Sequence, residues 1–95
     1  MVPIHPGRIL KEELAARLLS ANALARALRL PSRRIVDICN GTRGISAETA
    51  LRLGRFFGND PQFWLTLQAQ YDLAVARRDV GKQVEAEVQT PGELV

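Results

Sequence analysis

The chain has very few of the residues that build metal centres and disulfides. It contains one cysteine, Cys39, and one histidine, His5, among 95 residues. A single cysteine excludes a disulfide within the chain and is typical of a reducing compartment. One histidine far from one cysteine also lacks the ligand spacing of a zinc site. We therefore predict no metal, no cofactor and a cytoplasmic location, with Cys39 as a small core residue and His5 as an exposed, inert one.

Sequence signals of catalysis and of membrane insertion are missing as well. The chain has no Gly-rich phosphate loop and no Gly-x-Ser-x-Gly elbow, and its carboxylates are scattered along it. No apolar run approaches the ~20 residues that cross a bilayer. The first six residues lack the charged and apolar segments of a secretory signal. We therefore expect neither an enzyme nor a membrane protein.

The charge that is present is distributed unevenly. The formal net charge is +3, but residues 1–78 hold twelve Lys and Arg against six Asp and Glu. Residues 79–95 hold one Lys against four acidic residues. Eleven of the thirteen basic residues are Arg, whose planar fork suits phosphate and guanine. This division predicts a basic domain over 1–78 with an acidic partner, followed by a flexible or weakly helical tail over 79–95.

Residues 20–41 have the pattern of two short helices joined by a tight turn. Apolar residues recur at helical spacing in each half, as Leu24, Ala25, Leu28 and then Ile35, Ile38, Cys39. Pro31 interrupts the first helix and suits the start of the second, which Gly41 ends. The pattern predicts a helix-turn-helix. Arg29 falls where such turns often take positive φ, so either the turn is built differently or strain is tolerated.

The polar residues of this unit point to DNA. Ser32, Arg33 and Arg34 occupy the first turn of the second helix, and Asp37 lies one turn further on. That end of a recognition helix faces base edges in the major groove. Arginines there oppose the helix dipole, a cost that a phosphate-rich partner offsets. We predict base contacts from these four residues; the alternative is a solvated helix face.

Three more polar residues flank the unit at positions suited to the DNA backbone. Asn22 lies at the start of the first helix, where such helices cross a phosphate strand. Thr42 and Arg43 lie in the loop Gly41–Gly44. We predict phosphate contacts from all three, although an exposed Asn and a purely structural turn explain the same residues.

Further helices are predicted on either side. The first opens at Pro6, with Leu10, Leu14 and Leu18 stacked at i+4 spacing. The fourth starts at a Ser46 cap and ends at Gly58, with Arg52 and Arg55 directed to solvent. The fifth starts at an Asp60 cap and runs to about Arg78. The predicted fold class is all-α, with five helices and the helix-turn-helix at helices two and three.

The aromatic residues gather on the fifth helix and just before it. Helix five carries an apolar stripe made of Phe63, Trp64, Leu67 and Tyr71. Such a stripe is usually core. It can also be a dimer interface, because two-fold dimers match palindromic DNA sites.

Taken together, these segments resemble the HigA-type antitoxins, the addiction-module antidote group of the Xre helix-turn-helix proteins. The resemblance covers residues 5–76. It depends on four motifs that occur in the same order: HPG at 5–7, RRI at 33–35, ETALRL at 48–53, and FW, LQ and YDL along helix five.

The resemblance implies a five-helix, lambda-repressor-like fold and a homodimer that binds a palindromic, double-stranded operator and represses its own operon, on the nucleoid when bound. It also implies a HigB-type partner related to the RelE toxins, which cut mRNA and which the antitoxin neutralises. The chain departs from related repressors at Ala21, where a phosphate-binding Gln is frequent, and at Arg29, where Gly is frequent. A stand-alone Xre-type regulator without a toxin, and a protein-interaction module on the same fold, remain as alternatives.

Overall fold

The computed structural model describes residues 2–94 and consists of helices. They are α1 Pro6–Ala16, α2 Ala21–Leu28, α3 Ser32–Cys39, α4 Ala47–Phe57 and α5 Pro61–Glu87, followed by a short 3₁₀ helix, Pro91–Leu94. No strand occurs among the described residues. The five-helix, all-α prediction is confirmed. Met1 and Val95, the ends of the predicted domain and tail, lie outside the described residues.

Side-chain caps fix the starts of three helices as predicted. Ser20 accepts a bond from the backbone N–H of Ala23 at 3.0 Å, and Ser46 accepts one from Thr49 at 3.3 Å. The Asp60 carboxylate accepts one from Gln62 at 2.9 Å. Each cap satisfies a backbone donor that has no partner inside its helix.

Left-handed residues end the first four helices. Gly41 and Gly58 have φ of 78° and 74°, which glycine adopts at low cost. Arg29 and Leu18 adopt the same left-handed conformation, with φ of 60° and 52°. The turn after α2 therefore has the expected geometry and tolerates strain at Arg29.

Leu18 does not belong to the apolar stripe of α1, so that prediction is wrong. The helix ends at Ala16, and the reversal at Leu18 leaves this side chain 96% exposed. The next residue, Leu19, donates its N–H to Leu14 O at 2.9 Å and packs against the core instead. This is the hydrophobic contact that accompanies a helix-ending turn of this type.

One apolar core joins all five helices. Its buried members are Leu10, Leu14, Leu24, Ala25, Leu28, Ile35, Ile38, Ile45, Ala50, Leu53 and Trp64. Each large side chain that leaves water contributes about 1.5–3 kcal/mol of transfer free energy. The core thus holds α2 and α3 rigidly, with their remaining faces outward.

Helix α5 continues to Glu87, nine residues beyond the predicted end at Arg78. Gly81 does not break it, because one glycine costs only ~1 kcal/mol in a helix interior. At 1.5 Å per residue, 27 residues span about 40 Å. The described chain measures 57 × 22 × 21 Å, so α5 extends well beyond the core. The flexibility expected for the acidic tail, residues 79–95, stays a prediction.

Candidate nucleic-acid interface

Helix α3 exposes its basic end. Ile35 and Ile38 are completely buried, which directs the opposite face to solvent. The Arg33 side chain is 84% exposed. Ser32 is exposed beside it, and Arg34 is half-buried at the edge of this face. Of the two arginines predicted to contact bases, Arg33 therefore lies fully on the outer surface and Arg34 only partly.

Asp37 forms an ion pair with Arg33. Its Oδ1 atom lies 3.2 Å from Arg33 Nε, one helical turn along α3. Exposed pairs of this kind contribute little to stability. The pair involves Nε of Arg33, so the hydrogens on its terminal Nη atoms stay available for a bidentate contact to guanine. Asp37 therefore orients the guanidinium without occupying the whole of it.

The residues predicted to contact phosphates are all exposed, but they differ in whether their side-chain donors are already used. Asn22 and Arg43 are exposed, Asn22 in the first turn of α2 and Arg43 in the loop after α3. Thr42 is also exposed, but its Oγ1 donates to Asp37 O at 3.1 Å, which closes the end of α3. A hydroxyl has one hydrogen to donate. A phosphate contact from this hydroxyl as donor would have to replace that bond.

The sequence prediction omits two further residues on the outer side of α3, one within the helix and one at its C-cap. Val36 and Asn40 follow Arg33 by three and seven positions, so they share its face of the helix. Val36 is half-buried and Asn40 is exposed. They can be found in the sequence when helical spacing is counted from Arg33 and not from the buried apolar residues.

His5 is not inert, in contrast to the prediction. Its Nδ1 accepts a bond from the backbone N–H of Gly7 at 2.9 Å and so caps α1. Its ring meets the Tyr71 ring edge-on at 4.9 Å. Burial lowers the pKa of His5, although the Asp72 carboxylate and a backbone hydrogen bond with Arg43 act in the opposite direction.

Arg52 does not point freely to solvent, so that prediction is wrong too. Its Nη1 donates to Leu28 O, at the end of α2, at 2.9 Å. Its Nη2 lies 3.6 Å from Glu48 Oε2. Arg52 thereby attaches α4 to the carboxyl end of α2, whereas Arg55 is exposed as expected.

The four residues of the predicted dimer interface lie in different environments. Phe63 is 44% exposed, and Leu67 and Tyr71 are half-buried. Trp64 is 1% exposed and donates its Nε1 hydrogen to Asn59 Oδ1 at 3.2 Å. Trp64 packs within its own chain and has almost no surface left for a second copy.

Other kinds of site find little support in the part of the chain that the structure describes. Residues 2–94 contain no cluster of three or more potential metal ligands. None of their helices combines the length and the apolar character of a membrane span. Cys39 packs against the core, and burial raises the pKa of its thiol.

The chain is similar to known helix-turn-helix proteins over most of its length. A family model described as helix-turn-helix matches residues 10–64. The antitoxin HigA-1 of Vibrio cholerae is 32% identical over 72 residues, which cover 75% of this chain and 68% of that one.

Solved structures of antitoxins share the fold. An addiction module antidote protein of the HigA family from Coxiella burnetii is 52% identical, with a TM-score of 0.92 over 95% of this chain and 99% of the other. The Pseudomonas aeruginosa antitoxin HigA, solved with the higBA promoter, is 47% identical, with the same TM-score and coverage. These are antitoxins and DNA-binding regulators, not enzymes, as the sequence predicted. The chain therefore belongs to the HigA family of helix-turn-helix antitoxins.

Proposed function

We propose that this chain is the antitoxin of a HigBA-like module. It binds operator DNA as a dimer, represses its own operon and neutralises a RelE/HigB-like toxin that cleaves mRNA. One observation carries the DNA-binding part: the exposed Arg33 lies in the first turn of α3, in a fold that matches an antitoxin solved with promoter DNA.

In this proposal the amino end of α3 enters the major groove. The Nη donors of Arg33 contact O6 and N7 of a guanine, with Ser32 and Arg34 beside them. The carboxylate of Asp37 keeps the guanidinium in position and can accept from a cytosine amino group. Val36 offers an apolar surface to a thymine methyl group.

Contacts to the DNA backbone flank this helix. Asn22 donates at the start of α2, and Arg43 supplies a positive charge from the loop. Thr42 contributes mainly by ending α3, since its hydroxyl already donates to Asp37 O. Such contacts set the register of the protein on DNA, whereas the base contacts select the sequence.

The proposed dimer is supported by an apolar surface on the outer half of α5. Leu73, Val80 and Val84 are 51%, 43% and 49% exposed, and their spacing places them on one face. A second copy packed antiparallel about a two-fold axis at Gly81 would place Arg77 opposite Glu85, with opposite charges. Phe63 has a larger exposed fraction than its three predicted partners, but it lies ten residues before Leu73 and does not line this surface.

The DNA-binding proposal is tested with two matched arginines. Arg33→Ala removes the proposed base contact. Arg8→Ala is the control, because Arg8 is an exposed arginine of α1 that also pairs with an acidic residue four positions on, Glu12 at 3.8 Å. Affinities are measured for the chain's own promoter and for a scrambled duplex.

Arg33→Ala should lower the promoter-to-scrambled affinity ratio, by an amount equivalent to about 1–3 kcal/mol of binding free energy for each half-site. Arg8→Ala should leave that ratio unchanged. Equal ratios for wild type and Arg33→Ala would reject the assignment.

The dimer is tested by Val80→Glu, which places a charge on the proposed interface. Sedimentation velocity should show a dimer for wild type and a monomer for the variant. Leu18 is exposed and does not line this surface, so Leu18→Glu should remain dimeric. A wild-type monomer at promoter-binding concentrations would contradict a stable dimer.

The toxin is tested by co-expression with the product of the neighbouring small open reading frame. Growth arrest by that product alone, and relief and co-purification with this chain, would support the antitoxin. A neighbour without toxicity, together with promoter binding, would favour a stand-alone regulator.

A further inference from the structure

His5 lies where three elements meet. Its Nδ1 caps α1 through Gly7, at 2.9 Å. Its ring packs edge-on against Tyr71 of α5, at 4.9 Å between centroids. Its Cγ atom would lie 3.7 Å from a Cβ atom placed on Gly41, the left-handed residue that ends α3. The imidazole thus fills the junction of α1, α5 and the carboxyl end of α3.

Gly7 brings the backbones of α1 and α3 into direct contact. A Cβ atom at this position would lie 1.8 Å from Ile38 O, a separation no structure permits. The same carbonyl accepts the N–H of Gly41 at 3.0 Å, within the turn that ends α3. A shift of the His5–Gly7 cap therefore reaches the last turn of α3 and the loop that carries Arg43.

The protonation state of His5 decides whether that cap exists. As an acceptor, Nδ1 carries no hydrogen, so the ring is neutral with its proton on Nε2. Protonation of Nδ1 would set two donors, the ring N–H and the Gly7 N–H, against each other. The groups that face the ring are the Asp72 carboxylate and Tyr71 of α5 and the backbone of Arg43.

We propose that His5 is a positioning residue for DNA binding. Its neutral imidazole holds the start of α1 against the end of α3, and protonation releases this contact and weakens binding to the operator. The inference rests on the proposed DNA-binding function and adds to it a dependence on pH.

The sequence makes this dependence measurable, because His5 is the only histidine. The other side chains ordinarily titrate below about 4.5 or above about 8. Burial raises the pKa of Cys39, which keeps its thiol out of the range. Burial lowers the pKa of His5. The unfolded chain therefore binds this proton more readily, and folding stability falls as pH drops through and below ~6.5.

Protonation has a competing effect of opposite sign. An imidazolium near a phosphate strand attracts any DNA, so charge alone would raise affinity for operator and scrambled DNA together in acid. Loss of the cap would lower affinity for the operator. The direction of the change therefore separates a positioning role from a simple charge.

The experiment measures binding of the full chain to operator and to scrambled duplex between pH 5.0 and 7.5, at fixed ionic strength, with circular dichroism to verify folding. Wild type is compared with His5→Asn and His5→Ala. Asparagine also caps helices through a short acceptor but does not titrate. Alanine provides neither the cap nor the ring.

Wild-type affinity for the operator should fall as the pH is lowered from 7.5 to 5.0, with about fivefold as the limit when every molecule has lost this one helix cap. His5→Asn should bind nearly as wild type does at pH 7.5 and show a flat profile. His5→Ala should be flat and weaker throughout. If His5→Ala does not fold, the comparison with His5→Asn still decides.

Equal pH profiles for wild type and His5→Asn would overturn the inference, as would a rise in acid for both duplexes. If wild type binds the operator at pH 7.5 and its affinity does not change down to pH 5.0, this inference fails while the proposed function stands. Failure to bind the promoter at any pH would overturn the proposed function and the inference with it.

Discussion

Among single residues, two carry backbone strain without a functional contact to explain it. Arg29 and Leu18 occupy the left-handed region, with φ of 60° and 52°, where other helices of this chain use glycine. This conformation costs a non-glycine residue about 1–2 kcal/mol. The sequence indicates the problem at Arg29, because a turn of fixed geometry is required there. At Leu18 the sequence gives no such warning, because its i+4 spacing from Leu14 looks like a continuation of the apolar stripe of α1.

Arg29→Gly should raise the free energy of unfolding by about 0.5–1 kcal/mol, since relief of strain exceeds the greater entropy of glycine in the unfolded chain. Thermal or urea unfolding measures it. Arg26→Gly, three residues earlier and inside α2, should instead lose about 1 kcal/mol. Equal effects at both positions would contradict the strain at Arg29.

Gly7→Ala should destabilise the fold by several kcal/mol or displace α1 from α3, because its Cβ would collide with Ile38 O. Gly92→Ala is the control, since a Cβ there meets nothing within 4 Å. Chemical unfolding of the two variants checks this. A Gly7→Ala protein as stable as Gly92→Ala would show that the two backbones are not in close contact.

Among elements, helix starts follow from the sequence better than helix packing does. Ser20, Ser46 and Asp60 are local signals, and all three cap the helices predicted from them. Arg52 and Gln68 act across the fold. Gln68 Oε1 accepts the N–H of Ile45 at 2.8 Å, which ties the loop before α4 to α5. Spacing within a segment cannot reveal such partners, because they depend on tertiary packing.

Arg52→Met should cost about 1–2 kcal/mol of stability, because it removes a charged donor from Leu28 O while keeping the apolar stem. Arg55→Met, at an exposed position of the same helix, should change stability little. The midpoint of urea unfolding reports both. Identical midpoints would mean that the bond to α2 contributes nothing.

At the scale of the whole molecule, the fold was predictable and the interface only in part. Two apolar helices around Pro31 and Gly41 fix the helix-turn-helix, and hence the outward end of α3. The environment of His5 could not be predicted, because three distant segments create it. The prediction ends α5 too early, at Arg78, because the change to negative charge over residues 79–95 does not stop a helix.

The arrangement of charge predicts how binding depends on salt. Each phosphate that a cation neutralises changes the slope of log affinity against log salt by about 0.9. Arg43→Ala should therefore reduce the slope by about two in a dimer, one for each subunit. Arg8→Ala should leave it unchanged. A slope that Arg43→Ala does not alter would remove this residue from the phosphate contacts.

The most direct measurement is a base-pair substitution scan of the promoter site with wild type and Arg33→Ala. Wild type should lose about 1–3 kcal/mol at one G·C pair in each half-site, and Arg33→Ala should become indifferent to those pairs while it still discriminates at others. An Arg33→Ala protein that keeps the wild-type profile at every position would show that the exposed end of α3 does not read DNA.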